Sequence, residues 1–199
     1  MISAMRLLLA SCVIVLAGYG CGGDETGNGG TSSTDVTSTG PGQTASTGGQ
    51  NIEGAMLAAH NAARASVDPP AATPIPPLEW SEELADMATA YAKQCNFEHS
   101  DNPDYGENLF ASTVSTTPAG VVKPWVDEKA DYDYATNTCN ADAVCGHYTQ
   151  VVWADSLRVG CGVAECTENS PFDGAPSPRW FHWVCNYDPP GNFVGQKPY

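Results

Sequence analysis

Apolar positions recur every three to four residues in two stretches of the chain, then give way in its last third to short runs of β-branched and aromatic residues. In "NIEGAMLAAHNAARASV", Ile52, Met56, Ala59 and Ala63 fall at helical spacing, which predicts an amphipathic helix. His60 and Arg64 stand four apart and share a face of it. "DPPAATPIPPLEW" is a proline-broken connector. "SEELADMATAYAKQC" predicts a second helix. Ser81 is its N-cap, Glu82 and Glu83 suit the positive end of the helix dipole, and Leu84, Met87, Ala88, Tyr91 and Cys95 form one apolar stripe.

"NFEHSDNPDYGENLFAS" lacks a period and reads as a loop. "TPAGVVKPWVDEKADYDY" is helix-like but holds Pro124, which lacks an amide hydrogen and is expected to start or kink the helix. "YTQVVW", "RVGCGVAEC" and "RWFHWVCNY" read as strands between turn residues. Helices followed by neighbouring strands predict an α+β fold, with the helices packed on an antiparallel sheet.

The N-terminus belongs to a different class of segment. Arg6, an apolar run from Leu7 to Ala17 and small residues after it give the order of a secretory signal over 1–20. The run is short for a membrane span. Cys21 follows it directly, which suggests a bacterial lipoprotein signal with the lipid on Cys21, although Gly18 and Tyr19 depart from the usual pattern. Residues 21–50 are mostly Gly, Ser and Thr, too apolar-poor to fold, and read as a flexible tether. The folded unit is therefore 51–199, in an exported chain held at the cell envelope by its lipid or released outside.

Charge narrows the partners. The chain has a formal net charge of −15, and only Asp24, Glu25 and Asp35 among its 23 acidic residues precede the folded unit. Nucleic-acid binding rests on clustered Lys and Arg, so that class is excluded, and contact with a membrane is expected only through the N-terminal lipid. Six cysteines fall in the unit: Cys95, Cys139, Cys145, Cys161, Cys166 and Cys185. An even set in an exported chain, without a CxxC pair, implies three disulfides, whose pairing composition alone does not choose.

Four stretches occur in order: "HNAAR" at 60–64, "GENL" at 106–109, "GHYTQVVWADS" at 146–156 and "CNYDPPGNF" at 185–193. Together they resemble the signatures of the cysteine-rich secretory protein, antigen 5 and pathogenesis-related protein 1 (CAP, or SCP-domain) superfamily, nearest its plant pathogenesis-related 1 branch. The resemblance spans essentially all of 51–199. Trp183, where a smaller apolar residue is usual, and Pro124 are its small departures.

The resemblance implies a three-layer α-β-α sandwich with a central antiparallel sheet, stapled by Cys95–Cys166, Cys139–Cys145 and Cys161–Cys185. It also implies that His99, Glu107, Glu128 and His147 converge in a cleft. Imidazoles and carboxylates suit a divalent ion, zinc foremost, and a glutamate can equally orient a histidine. His60, Asn61 and Arg64 read as structural, holding the first helix. Asn108 reads as bonding backbone in its turn, and Gly106 as permitting a special backbone conformation. His182 reads as packing or surface, and Tyr148, Trp153, Trp180 and Trp183 as core.

Three functions follow from the resemblance. The first is a monomeric, non-enzymatic extracellular module that binds a small hydrophobic ligand (a lipid or sterol) or an extracellular protein. The polar loop at 134–144 is a candidate rim, and its polarity speaks against a sterol specifically. The second is a metal-dependent hydrolase, a protease, using the same His/Glu cleft; the chain has no HExxH and no evident nucleophile for it. The third is a signalling role for the C-terminal "PPGNFVGQKPY", which in plant relatives resembles a released peptide.

Overall fold

A computed structural model describes residues 51–199, apart from 176 and 177, together with the backbone of Val13–Val15. The remainder of the expected leader, Cys21 and the tether 21–50 lie outside the described residues. In chain order the elements are β1 (Val13–Val15), α1 (Ile52–Arg64), β2 (Glu79–Trp80), α2 (Glu82–Ala92), β3 (Gly106–Ser112) and α3 (Pro118–Asp127). A 3-10 turn at Glu128–Asp131, β4 (Tyr132–Asp133), β5 (Thr138–Cys139), α4 (Gly146–Val151), β6 (Arg158–Cys166) and β7 (Trp180–Asp188) follow.

Local chemistry starts each long helix. The Asn51 side chain accepts from the Gly54 amide at 3.2 Å, and the Ser81 hydroxyl accepts from the Leu84 amide at 3.4 Å. Both buried stripes differ from the expected ones. α1 buries Met56, His60 and Arg64, while Ile52, Ala59 and Ala63 are only partly covered. α2 buries Leu84, Ala85, Ala88 and Ala92, leaving Met87 and Tyr91 half-buried at its edge. Small residues face the sheet because α2 lies directly on β6. A Cβ on Gly160 would stand 2.2 Å from the Ala85 amide nitrogen.

Two expected elements change type. The segment 106–112, read as loop, is the strand β3, paired antiparallel with β7 from Gly106↔Tyr187 to Ser112↔Phe181. Both its faces are covered, so it lacks the polar–apolar alternation that marks a half-buried strand. "YTQVVW", read as a strand, is mostly the short helix α4, whose start is closed by a carboxylate from far away in sequence, described below. α3 begins at Pro118 under a Thr117 cap and carries Pro124 inside. Buried Val121, Val122 and Trp125, with the Trp125 indole donating to the Leu109 carbonyl at 3.1 Å, hold it to the sheet.

The central sheet has the order β1-β3-β7-β6-β2. Its core, β3-β7-β6, is antiparallel as expected; the short edges β1 and β2 run parallel to their neighbours, so the whole sheet is mixed. One face carries α2 over Leu109, Ala111, Ala164 and Val184. The other carries α1, α3 and α4 over Phe110, Cys161, Cys185 and Tyr187. Those are the three layers. Disulfides join Cys95–Cys166, Cys139–Cys145 and Cys161–Cys185, the pairing that the resemblance implies. The first ties the end of α2 to β6, and the second ties β5 to the residue before α4.

Candidate functional site

The "HNAAR" motif is an anchor for its helix. The Arg64 guanidinium, 2% exposed, donates to four carbonyls: Pro76, Val151, Trp153 and Ser156, at 2.8–3.0 Å. Burial lowers its pKa to about 10, which still leaves it charged at neutral pH. Asn61 takes both backbone groups of Leu78, with its oxygen on the amide (2.8 Å) and its nitrogen on the carbonyl (3.1 Å). His60 Nδ1 donates to the Met56 carbonyl at 2.8 Å, so its Nε2 accepts from the Tyr187 hydroxyl at 2.8 Å. Burial drives the His60 pKa down to about 4 and the Tyr187 phenol well above its ordinary range. All three side chains tie the first helix to neighbouring segments.

Asn108 lies in β3, not in a turn. Its amide donates across elements to the His147 carbonyl and to the Tyr187 hydroxyl, each at 3.1 Å. Gly106 keeps an ordinary backbone conformation, contrary to the expectation. It is needed for space, because a Cβ there would sit 2.2 Å from Gln150 Oε1. Gln150 cannot easily withdraw: it donates to Ser156 and accepts from the Gly191 amide, both at 3.1 Å.

The four cleft residues form two separate His/Glu pairs. Glu128 Oε1 lies 2.5 Å from His147 Nδ1, while its Oε2 accepts from the amides of His147 (3.0 Å) and Tyr148 (3.1 Å). One carboxylate thus fixes an imidazole and closes the first turn of α4. His147 is buried, stacks on Trp125 at 6.0 Å between centroids, and its Nε2 has no hydrogen-bond partner among the described residues. In the second pair, Glu107 Oε1 accepts from His99 Nδ1 (2.8 Å) and from the Ser100 amide (2.9 Å).

Glu107 faces the other side of the sheet from Asn108, which bonds the His147 carbonyl. Glu107 stands opposite Asn186, which stands opposite Gly160, in the row facing α2. The next row, Asn108, Cys185 and Cys161, faces α1, α3 and α4, where Glu128 and His147 lie. Among the described residues no group of three or more His, Cys, Asp or Glu side chains is gathered in one place. No three of these four donors are gathered as a structural zinc ion needs them.

What does open beside Glu107 is a groove of about 500 Å³ between α2 and the loop that enters β3. Met87, Ala90, Tyr91 and Tyr105 supply its apolar lining, with Gln94, Asn102 and Asn186 among the polar groups. That size is typical of small-molecule sites.

The fold, the three disulfides and the four motifs point to one family. The sequence profile of the cysteine-rich secretory protein (CAP) family matches residues 57–187. The chain belongs to the CAP family. This CAP chain is 46% identical over 154 residues to the basic form of pathogenesis-related protein 1 from Nicotiana tabacum, covering 75% of this chain and 77% of the relative. It is 44% identical over 145 residues to pathogenesis-related protein 1 of Arabidopsis thaliana, covering 71% and 78%. Among solved structures it resembles Schistosoma mansoni venom allergen-like protein 4, with a TM-score of 0.58 at 27% identity over 75% of this chain and 94% of that one. NaASP2 with Zn2+ shares the fold, with a TM-score of 0.60 at 24% identity over 78% and 88%.

Sequence reasoning about this CAP domain missed Tyr187, which joins Asn108 to His60. It also placed Met87 and Tyr91 in the core stripe, although they line the groove. A wider polar gap in the helical pattern was the only available signal, since alanines at 85, 88 and 92 give a weak apolar face.

Proposed function

We propose that this CAP domain works outside the cell as a non-catalytic binding module, taking a small, largely apolar ligand in the groove between α2 and residues 100–107. The groove is the observation that carries the reading: it combines a ligand-sized volume with Met87, Ala90, Tyr91 and Tyr105, and a few hydrogen-bonding groups at its mouth. The His/Glu pairs support it from beside and behind. Each carboxylate is already committed to its own histidine and to backbone amides, which suits a rigid frame better than a reacting centre. Three disulfides suit an oxidising compartment, and the order of residues 1–21 supports export with a lipid on Cys21.

Titration of the oxidised protein with fluorescent sterol and long-chain-alcohol probes tests this reading. Saturable binding that is lost in Ala90→Trp, a variant that fills the groove from an exposed position, is the expected result. Binding untouched by Ala90→Trp contradicts it, and chelator-sensitive cleavage of a peptide library favours the hydrolase instead.

A further inference from the structure

The groove beside α2 has a chemical bias that its apolar lining does not explain. Asp101 and Glu107 both line it, and none of the lining residues is lysine or arginine. Two tyrosine rings, Tyr91 and Tyr105, stand in the same wall. The Tyr91 hydroxyl donates to the Glu98 carbonyl at 2.8 Å and its ring makes an edge contact with His182, so the side chain is held in place. Glu107 is equally fixed, since Oε1 takes both His99 and the Ser100 amide and the side chain is only 8% exposed.

From this combination we infer that the groove selects a small organic ammonium ion carried on an apolar stem, an inference that rests on the reading of the groove as a ligand site. The stem packs on Met87 and Ala90, and the head meets two carboxylates and the two tyrosine side chains of the lining. A primary, tertiary or quaternary amine satisfies that chemistry. A fatty-acid carboxylate does not, because it brings a third negative charge to a site without a cation to receive it. The selection is by charge sign; the stem contributes affinity without discriminating.

Three probes of equal chain length separate the possibilities: decyltrimethylammonium, decanol and decanoate, each titrated calorimetrically below its aggregation threshold into the oxidised protein. The ammonium ion is expected to bind about tenfold more tightly than the alcohol, with decanoate weakest. That preference is expected to shrink several-fold in Asp101→Asn, an exposed position, and to fall with added salt. Equal binding of ammonium and alcohol, or tightest binding of decanoate, overturns the inference while leaving the groove a ligand site. Failure of all three to bind overturns both.

Discussion

Glu128 and His147 meet at 2.5 Å across 19 residues of sequence, and the same carboxylate accepts two first-turn amides of α4, those of His147 and Tyr148. The imidazole is therefore oriented by the group that starts its helix. With Nδ1 held, Nε2 is left in the buried interior beside Trp125 without a partner among the described residues.

Removing that carboxylate breaks two things together. Glu128→Ala is expected to lower stability by about 3 kcal/mol or more, because it leaves three buried donors, the His147 imidazole and the amides of His147 and Tyr148, without their acceptor. Glu128→Gln keeps one oxygen and is expected to cost less. Urea denaturation gives the difference, and the imidazole ¹⁵N shifts of His147 report whether Nδ1 keeps its proton. A loss below about 1 kcal/mol in the alanine variant contradicts the dual role.

Arg64 offers a second test, because its five N–H donors fan out to four carbonyls on two separate segments, at Pro76 and along 151–156. Arg64→Lys is expected to cost nearly as much as Arg64→Met, about 3 kcal/mol or more, since a point ammonium cannot span those acceptors. If lysine restores most of the stability, the guanidinium is acting only as a charge.

Much of this fold is legible in the sequence, and the failures have physical causes. Ser81 before "EEL" announces α2 because capping is local chemistry. α4 is not announced. Its threonine and valines favour a strand, and the Glu128 carboxylate that overrides them arrives from another element. β3 hides for the opposite reason: Leu109 and Phe110 are both buried, on opposite faces, so no alternation remains. The motifs single out His99, Glu107, Glu128 and His147, but motif order carries no information about sheet faces. Only the register of β3, β7 and β6 turns Glu107 and its neighbour Asn108 to opposite faces.

Acid should loosen the domain before its carboxylates titrate. Burial holds both His60 and His182 down to about 4, whereas in the unfolded chain each takes up a proton near 6.5. The unfolded state binds more protons between those values, so stability is intact above pH 6.5 and falls as pH drops toward 4. Each histidine contributes up to about 3 kcal/mol to that loss. Urea midpoints at pH 7.5, 6 and 5 check it, and His182→Phe is expected to flatten the slope. A pH-independent midpoint over that range contradicts the buried neutral histidines.

Gly106 and Gln150 form a matched pair of shape. Gly106→Ala is expected to destabilise by about 2 kcal/mol by pressing a methyl group into the fixed Gln150 amide. In Gly106→Ala/Gln150→Ala the two costs are expected to be less than additive, because the clash disappears with the amide. Strict additivity in a thermal-denaturation cycle would show that the glycine serves something other than space.

The groove is the central claim, and amide chemical-shift mapping tests it most directly. Decyltrimethylammonium titrated into ¹⁵N-labelled oxidised protein is expected to shift the amides of residues 87–94 and 100–107, on the α2 face of the sheet. A smaller groove of about 250 Å³ lies between α1 and α3, lined by Ala59, Ala63, Val122 and Val126. Shifts confined to that groove, or none at saturating probe, would contradict the assignment of ligand binding to the α2 face.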